Sequence, residues 1–168
     1  MKTKAIYYVF VLSILYSCTS DDSGASLPEE QGFSFEITGD ITKTISGKTV
    51  FFSTSITQDI FDRDLHTLVI SANDTNGDQV NIGITQLERV DTGNYSIAFE
   101  IEPPYNGFVN YIEDPGNSSV FGPIGGSIVL NAVDSEMVTG SIDAQCQIPG
   151  QTTSVSIKGT FKALIGSN

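Results

Sequence analysis

From residue 33 onward, apolar and polar side chains alternate along the chain. Tyr95, Ile97, Phe99 and Ile101 fall on one face, with Asn94, Ser96, Ala98 and Glu100 on the other. Val138, Gly140, Ile142, Ala144 and Cys146 alternate with Thr139, Ser141, Asp143 and Gln145. Val155, Ile157, Gly159, Phe161 and Ala163 alternate with Ser154, Ser156, Lys158, Thr160 and Lys162. A period of two over such lengths predicts half-buried antiparallel strands. Weaker runs predict further strands over 33–37, 49–56, 65–72, 80–85 and 126–133. No window of a dozen residues carries the 3.6-residue period of a helix.

Turn residues separate these runs. Asn76-Gly77 lies between two of them and offers the positive φ values that tight hairpins use. Asp134-Ser135-Glu136 joins two strands that both open with Gly-Ser-Ile, at 126–128 and 140–142. Eight to ten short strands at close spacing predict an all-β, antiparallel β-sandwich, with an up-and-down β-barrel as the alternative. The segment 102–125, with four prolines, reads as a long loop that interrupts a regular meander, which favours the sandwich.

The N-terminus has a different pattern. Lys2 and Lys4 precede the apolar run 5–15, AIYYVFVLSIL, which is too short to span a bilayer as a helix but suits a secretory signal. Leu15-Tyr16-Ser17-Cys18 resembles a bacterial lipobox, with Tyr16 as a departure from the usual small or aliphatic residue. The resemblance implies cleavage before Cys18 and acylation of Cys18, including the fatty acid (palmitate) on its amine. Two or more acyl chains hold a protein stably to a membrane. Residues 19–32, TSDDSGASLPEEQG, read as an acidic, flexible tether. Asp21 and Asp22 resemble the acidic signal that sends Bacteroidota lipoproteins to the outer face of the outer membrane. The expected organisation is a signal peptide at 1–17, lipidated Cys18 and tether at 18–32, and one β domain at 33–168.

Charge narrows the partners. The whole chain carries −12; losing Lys2 and Lys4 leaves six basic against 20 acidic side chains, a net −14. Phosphate neutralisation needs Lys and Arg, so nucleic acid is excluded as a partner. Covalent lipid on Cys18 is therefore the expected link to the membrane. With Cys18 acylated, Cys146 has no partner for an intramolecular disulfide.

The stretches GNYSIAFEI (93–101), GGSIVLNAVDSEMVTGSIDAQC (125–146) and VSIKGTF (155–161) resemble a family of small Bacteroidota cell-surface lipoproteins. That resemblance implies an all-β domain behind a lipid anchor and carries no catalytic residue over.

Residues able to do chemistry are few. His66 is the one histidine and shares the face of Leu68 and Ile70, as a packed side chain would. Cys146 likewise faces the core side. No G-x-S-x-G or zinc-ligand spacing occurs. No cofactor is expected. Asp74, Asn76 and Asp78 place oxygens at alternate positions, as a calcium loop begins, yet Gly77 is fourth and Thr85 stands at the twelfth position. The same residues suit a plain hairpin turn, and a second acidic set, Asp59, Asp62 and Asp64, lies upstream. Tyr105, Phe108 and Tyr111 in 102–125 form the candidate ligand or partner loop, for an envelope protein or a glycan. The expected function is a lipid-anchored binding module of the outer membrane, facing outward, and not an enzyme. A carboxylate-based hydrolase and an accessory subunit of an envelope assembly are the alternatives.

Overall fold

The computed structural model describes residues 30–98, 107–114, 116 and 119–166. Cys18, Asp21, Asp22 and Tyr105 lie outside them, as do the signal segment and most of the tether. The alternation becomes ten strands: β1 (Gly32–Gly39), β2 (Lys43–Gly47), β3 (Thr49–Gln58), β4 (Asp64–Asn73), β5 (Gln79–Gln86), β6 (Gly93–Ser96), β7 (Gly107–Glu113), β8 (Ser119–Val133), β9 (Met137–Gln147) and β10 (Ser154–Ile165). No helix occurs among the described residues, and none there is long and apolar enough to cross a membrane.

The strands form one hydrogen-bonded sheet in the order β2-β1-β10-β3-β4-β5-β7-β8-β6, with β9 joining β10 to β8. The circuit β3-β4-β5-β7-β8-β9-β10 therefore returns to β3, closing as a barrel does. Closure at one corner is a short parallel contact, Leu164 with Phe51 and Ile165 with Phe52. The other pairings between named strands are antiparallel. This all-β, antiparallel architecture matches the fold class expected from the alternation. The single sheet, closing through β9 and β10 back to β3, is consistent with a β-sandwich or a barrel-like fold.

A single hydrophobic core fills the interior, drawing Phe35 and Ile37 from β1, Ile70 from β4, Ile82 from β5, Tyr111 from β7, Ile128 from β8, Ala144 and Cys146 from β9, and Phe161 from β10. Burial of such side chains contributes about 1.5–3 kcal/mol each and is what holds a disulfide-free domain together. The thiol of Cys146 is buried and donates to the carbonyl of Val109 at 3.4 Å.

Segment 102–125 is the main correction to the sequence reading. It contains β7 and the first part of β8, which pair through Tyr111 with Phe121 and Glu113 with Ser119. Gly107, Val109 and Tyr111 point inward, so period two does run through GFVNYIE; apolar residues on both faces obscure it. Pro123 is accommodated beside Gly125 at a register shift between β8 and β9, a place where a strand tolerates proline.

Candidate functional site

Tyr111 and Phe108 do not form an exposed platform. Tyr111 is fully buried and stacks, tilted, on Phe121 at 5.4 Å between ring centroids. Phe108 lies opposite Gly83, and its ring occupies the space a Cβ at residue 83 would take, 2.0 Å from its Cε1. A side chain at 83 would have to displace that ring, so Phe108, half-buried on the outward face of β7, packs over Gly83.

Asp74, Asn76 and Asp78 are brought together at one end of the barrel, where they build a turn. The Asp74 carboxylate accepts the amides of Asn76 (2.8 Å) and Asp78 (2.9 Å), and the Asn76 side-chain amide bonds it at 3.2 Å. Gly77 alone takes the positive φ, 96°; Asn76 does not. Asp78 is 4% exposed and accepts from Lys43 Nζ (3.0 Å), the Tyr111 hydroxyl (3.3 Å) and the amide of Asp114 (3.1 Å). Lys43 also pairs with Glu113 at 3.1 Å. Burial favours a neutral Lys43 amine, but its bonds to Tyr111, Asp78 and Glu113 outweigh that and hold its pKa above the ordinary lysine value. The carboxylates of the calcium candidate, Asp74 and Asp78, are thus engaged by protein donors. Among the described residues, no group of three or more His, Cys, Asp or Glu side chains is placed to hold a metal ion.

The opposite end is apolar. Here β3 and β4 pair from Thr49–Asn73 out to Gln58–Asp64, while their flanking strands stop short. On one side β10 leaves at Ile165–Phe52, and on the other β5 leaves at Gln86–His66. The hairpin therefore runs past the last residues at which its flanking strands pair with it. Thr54, Ile56, His66 and Leu68, on one face of the hairpin, line a cavity of about 350 Å³, closed by Arg89, Val90, Val133 and Ile165. Ile56 is 63% exposed.

Hydrogen bonds and an ion pair tie the hairpin tip. Asp59 donates its amide to the carbonyl of Arg63 at 3.0 Å, and its carboxylate accepts the amides of Phe61 (2.8 Å) and Arg63 (3.0 Å). The Arg63 guanidinium pairs with that carboxylate at 2.6 Å and lies 5.2 Å from the Phe61 ring centroid. Desolvation favours the neutral acid; the Arg63 and Phe61 amides and the Arg63 side chain outweigh it and hold the Asp59 carboxyl below the usual range. Asp62 completes the turn with φ 58°, a conformation Asp tolerates. What this frame presents is Ile60, 92% exposed, and Phe61, 69% exposed.

Asp134 and Ser135 also line the cavity beside His66. The Asp134 carboxylate accepts the amides of Glu136 and Met137 (2.8 and 2.7 Å), and no hydrogen bond joins His66 to either residue. A relay from carboxylate to imidazole to hydroxyl is not assembled here. The sequence reading identified Asp59, Asp62 and Asp64 but not the Ile60-Phe61 pair between them. Two large apolar residues inside an acidic turn were the available signal.

Comparison with protein-family models, with curated proteins and with solved structures gave no match.

Proposed function

We propose that this chain is a lipid-anchored binding module of the outer membrane, facing outward, and that it engages an envelope protein through the β3–β4 hairpin end. One observation carries the reading. Two turns of the same design flank β4, and the turn at 74–78 is built with Thr75 and Asn76 where the turn at 59–63 carries Ile60 and Phe61. The turn therefore does not require apolar residues at those positions. Exposed apolar groups beside an apolar cavity mark an interaction surface. Burying Ile60 and Phe61 in a partner would contribute roughly 1.5–3 kcal/mol each.

The tether meets the domain at the start of β3. Gln31 donates its side-chain amide to the carbonyl of Val50 at 2.8 Å, two residues before Phe52. Val50 pairs with Ala72, two residues from the Asp74 turn, so the chain from Cys18 enters the domain away from the hairpin tip and leaves that tip clear for a partner. Twelve residues from Cys18 to Glu30 reach at most about 40 Å.

The test has two arms. Cys18→Ser abolishes uptake of labelled fatty acid and releases the chain from the membrane; retained label contradicts the anchor. Ile60→Thr with Phe61→Asn, in the otherwise intact lipoprotein, removes the proteins retained after mild crosslinking of native membranes. Unchanged retention contradicts the hairpin as the binding surface.

A further inference from the structure

The hairpin end carries main-chain chemistry in addition to apolar side chains. The carbonyl of Phe52 accepts the amide of Gly166 at 2.9 Å, and that of Val50 accepts Gln31, so both face away from β4. In an antiparallel strand the N–H and C=O of one residue share an edge, and the edge alternates residue by residue. Asp59, on the other parity, bonds to Arg63 across the hairpin, as this rule requires. Thr54, Ile56 and Gln58 therefore turn both main-chain groups to the outer edge of β3. Among the described residues no strand pairs with that edge beyond Phe52.

Proteins usually blunt a free edge with charge, proline or brevity. The edge strand β2 is five residues long and carries Lys43. Residues 53–58, STSITQ, have no charge and no proline. Among the described residues this edge is left open for pairing.

We propose that it is a strand-addition site: an extended segment of the partner protein pairs with Thr54, Ile56 and Gln58 and lays an apolar side chain into the adjoining cavity. The inference rests on the reading that the hairpin end is the binding surface, and it names the form of the partner. Main-chain pairing supplies affinity and the cavity supplies selectivity. From residue 54 to 58 the edge spans about 13 Å, room for a partner segment of about five residues. Asp64 pairs with Gln58 at the end of this edge and Asp62 sits on the adjoining tip, both exposed, while Arg89 lines the cavity, so the segment is apolar at alternate positions and basic at the flank that meets the tip. A lipid surface fits less well. It would take up unpaired main-chain groups and the Asp62 and Asp64 carboxylates, each costly in hydrocarbon.

The experiment pans a phage library of linear dodecapeptides against the full chain in detergent, with counter-selection on Thr54→Pro. The Thr54 amide lies outside the β3–β4 ladder, so proline there removes an edge donor and leaves that ladder in place. Selected peptides are expected to lose at least about tenfold in affinity for Thr54→Pro and on N-methylation of alternate peptide amides. They should also slow hydrogen exchange at Thr54, Ile56 and Gln58. The N-methylated peptides leave the protein unaltered, so they decide the matter even if Thr54→Pro folds poorly. Three results would overturn the proposal: no peptide preferring the parent, peptides indifferent to N-methylation, or binding to phosphatidylethanolamine–phosphatidylglycerol vesicles without peptide binding. Dimerisation abolished by Thr54→Pro would assign the edge to a second copy and overturn the partner segment. If panning fails while Ile60→Thr with Phe61→Asn still removes membrane partners, strand addition is wrong and the binding module stands.

Discussion

Asp59 and Asp74 cap the two ends of β4 in the same way. Each carboxylate accepts the amides two and four residues ahead: Phe61 and Arg63 for Asp59, Asn76 and Asp78 for Asp74. In each turn the residue three positions ahead takes a positive φ, Asp62 at 58° and Gly77 at 96°, and donates back to the aspartate carbonyl. One design thus serves two ends with opposite surfaces. The Asp74 turn borders the acidic cluster around Lys43, and the Asp59 turn holds two exposed apolar side chains.

Exchange between the two turns separates stability from binding. Ile60→Thr with Phe61→Asn should change unfolding free energy by less than about 0.5 kcal/mol, as surface substitutions away from caps and core usually do. Urea denaturation measures it. A loss of several kcal/mol would show that the pair supports the fold.

The capping role of Asp74 predicts both a cost and an indifference. Asp74→Ala leaves the amides of Asn76 and Asp78 without their acceptor and should cost about 1–2 kcal/mol. Millimolar calcium should leave the parent melting temperature unchanged, because those oxygens already serve protein donors. A rise of several degrees that Asp74→Ala and Asp78→Ala abolish would mean that calcium displaces the turn's hydrogen bonds; an ion saturating its site a hundredfold adds about 2.7 kcal/mol.

Alkaline pH should destabilise the domain through its core. Burial pushes the Cys146 thiol up to about 12, and burial likewise pushes the Tyr111 phenol up to about 12. Both lie above their ordinary values of about 8.5 and about 10, so the folded state holds these protons more tightly than the unfolded chain. That stabilisation is complete below about pH 8.5 and is lost as pH rises toward about 12. Melting temperature should be flat between pH 6 and 8 and fall from about pH 9 upward. In Cys146→Ala the fall should begin about 1.5 pH units later, where tyrosine takes over. An identical onset in parent and variant would contradict the assignment to Cys146.

The strands legible in sequence were those whose two faces differ in polarity, such as β9 and β10. β2 was missed because Ile45 is its sole buried side chain, and a lone apolar residue makes no period. β7 was missed for the reverse reason, since Phe108 and Ile112 add apolar residues to the outward face. The Lys43–Asp78–Glu113 network joins β2, the turn after β4 and β7, elements that only folding brings together. The cavity was likewise invisible, because it arises from where β5 and β10 stop, a property of register and not of composition. The turn at 74–78 was legible in position but not in type, with the positive φ confined to Gly77.

The most direct measurement of the central claim is photocrosslinking in the native envelope. Benzoylphenylalanine is placed at Phe61 in one version of the chain and at Asn76, in the matching turn at the far end of β4, in another. Irradiation should give a discrete set of protein adducts from position 61 and none from position 76. Adducts from position 76 alone, or none from position 61, would contradict the hairpin as the surface through which this chain binds.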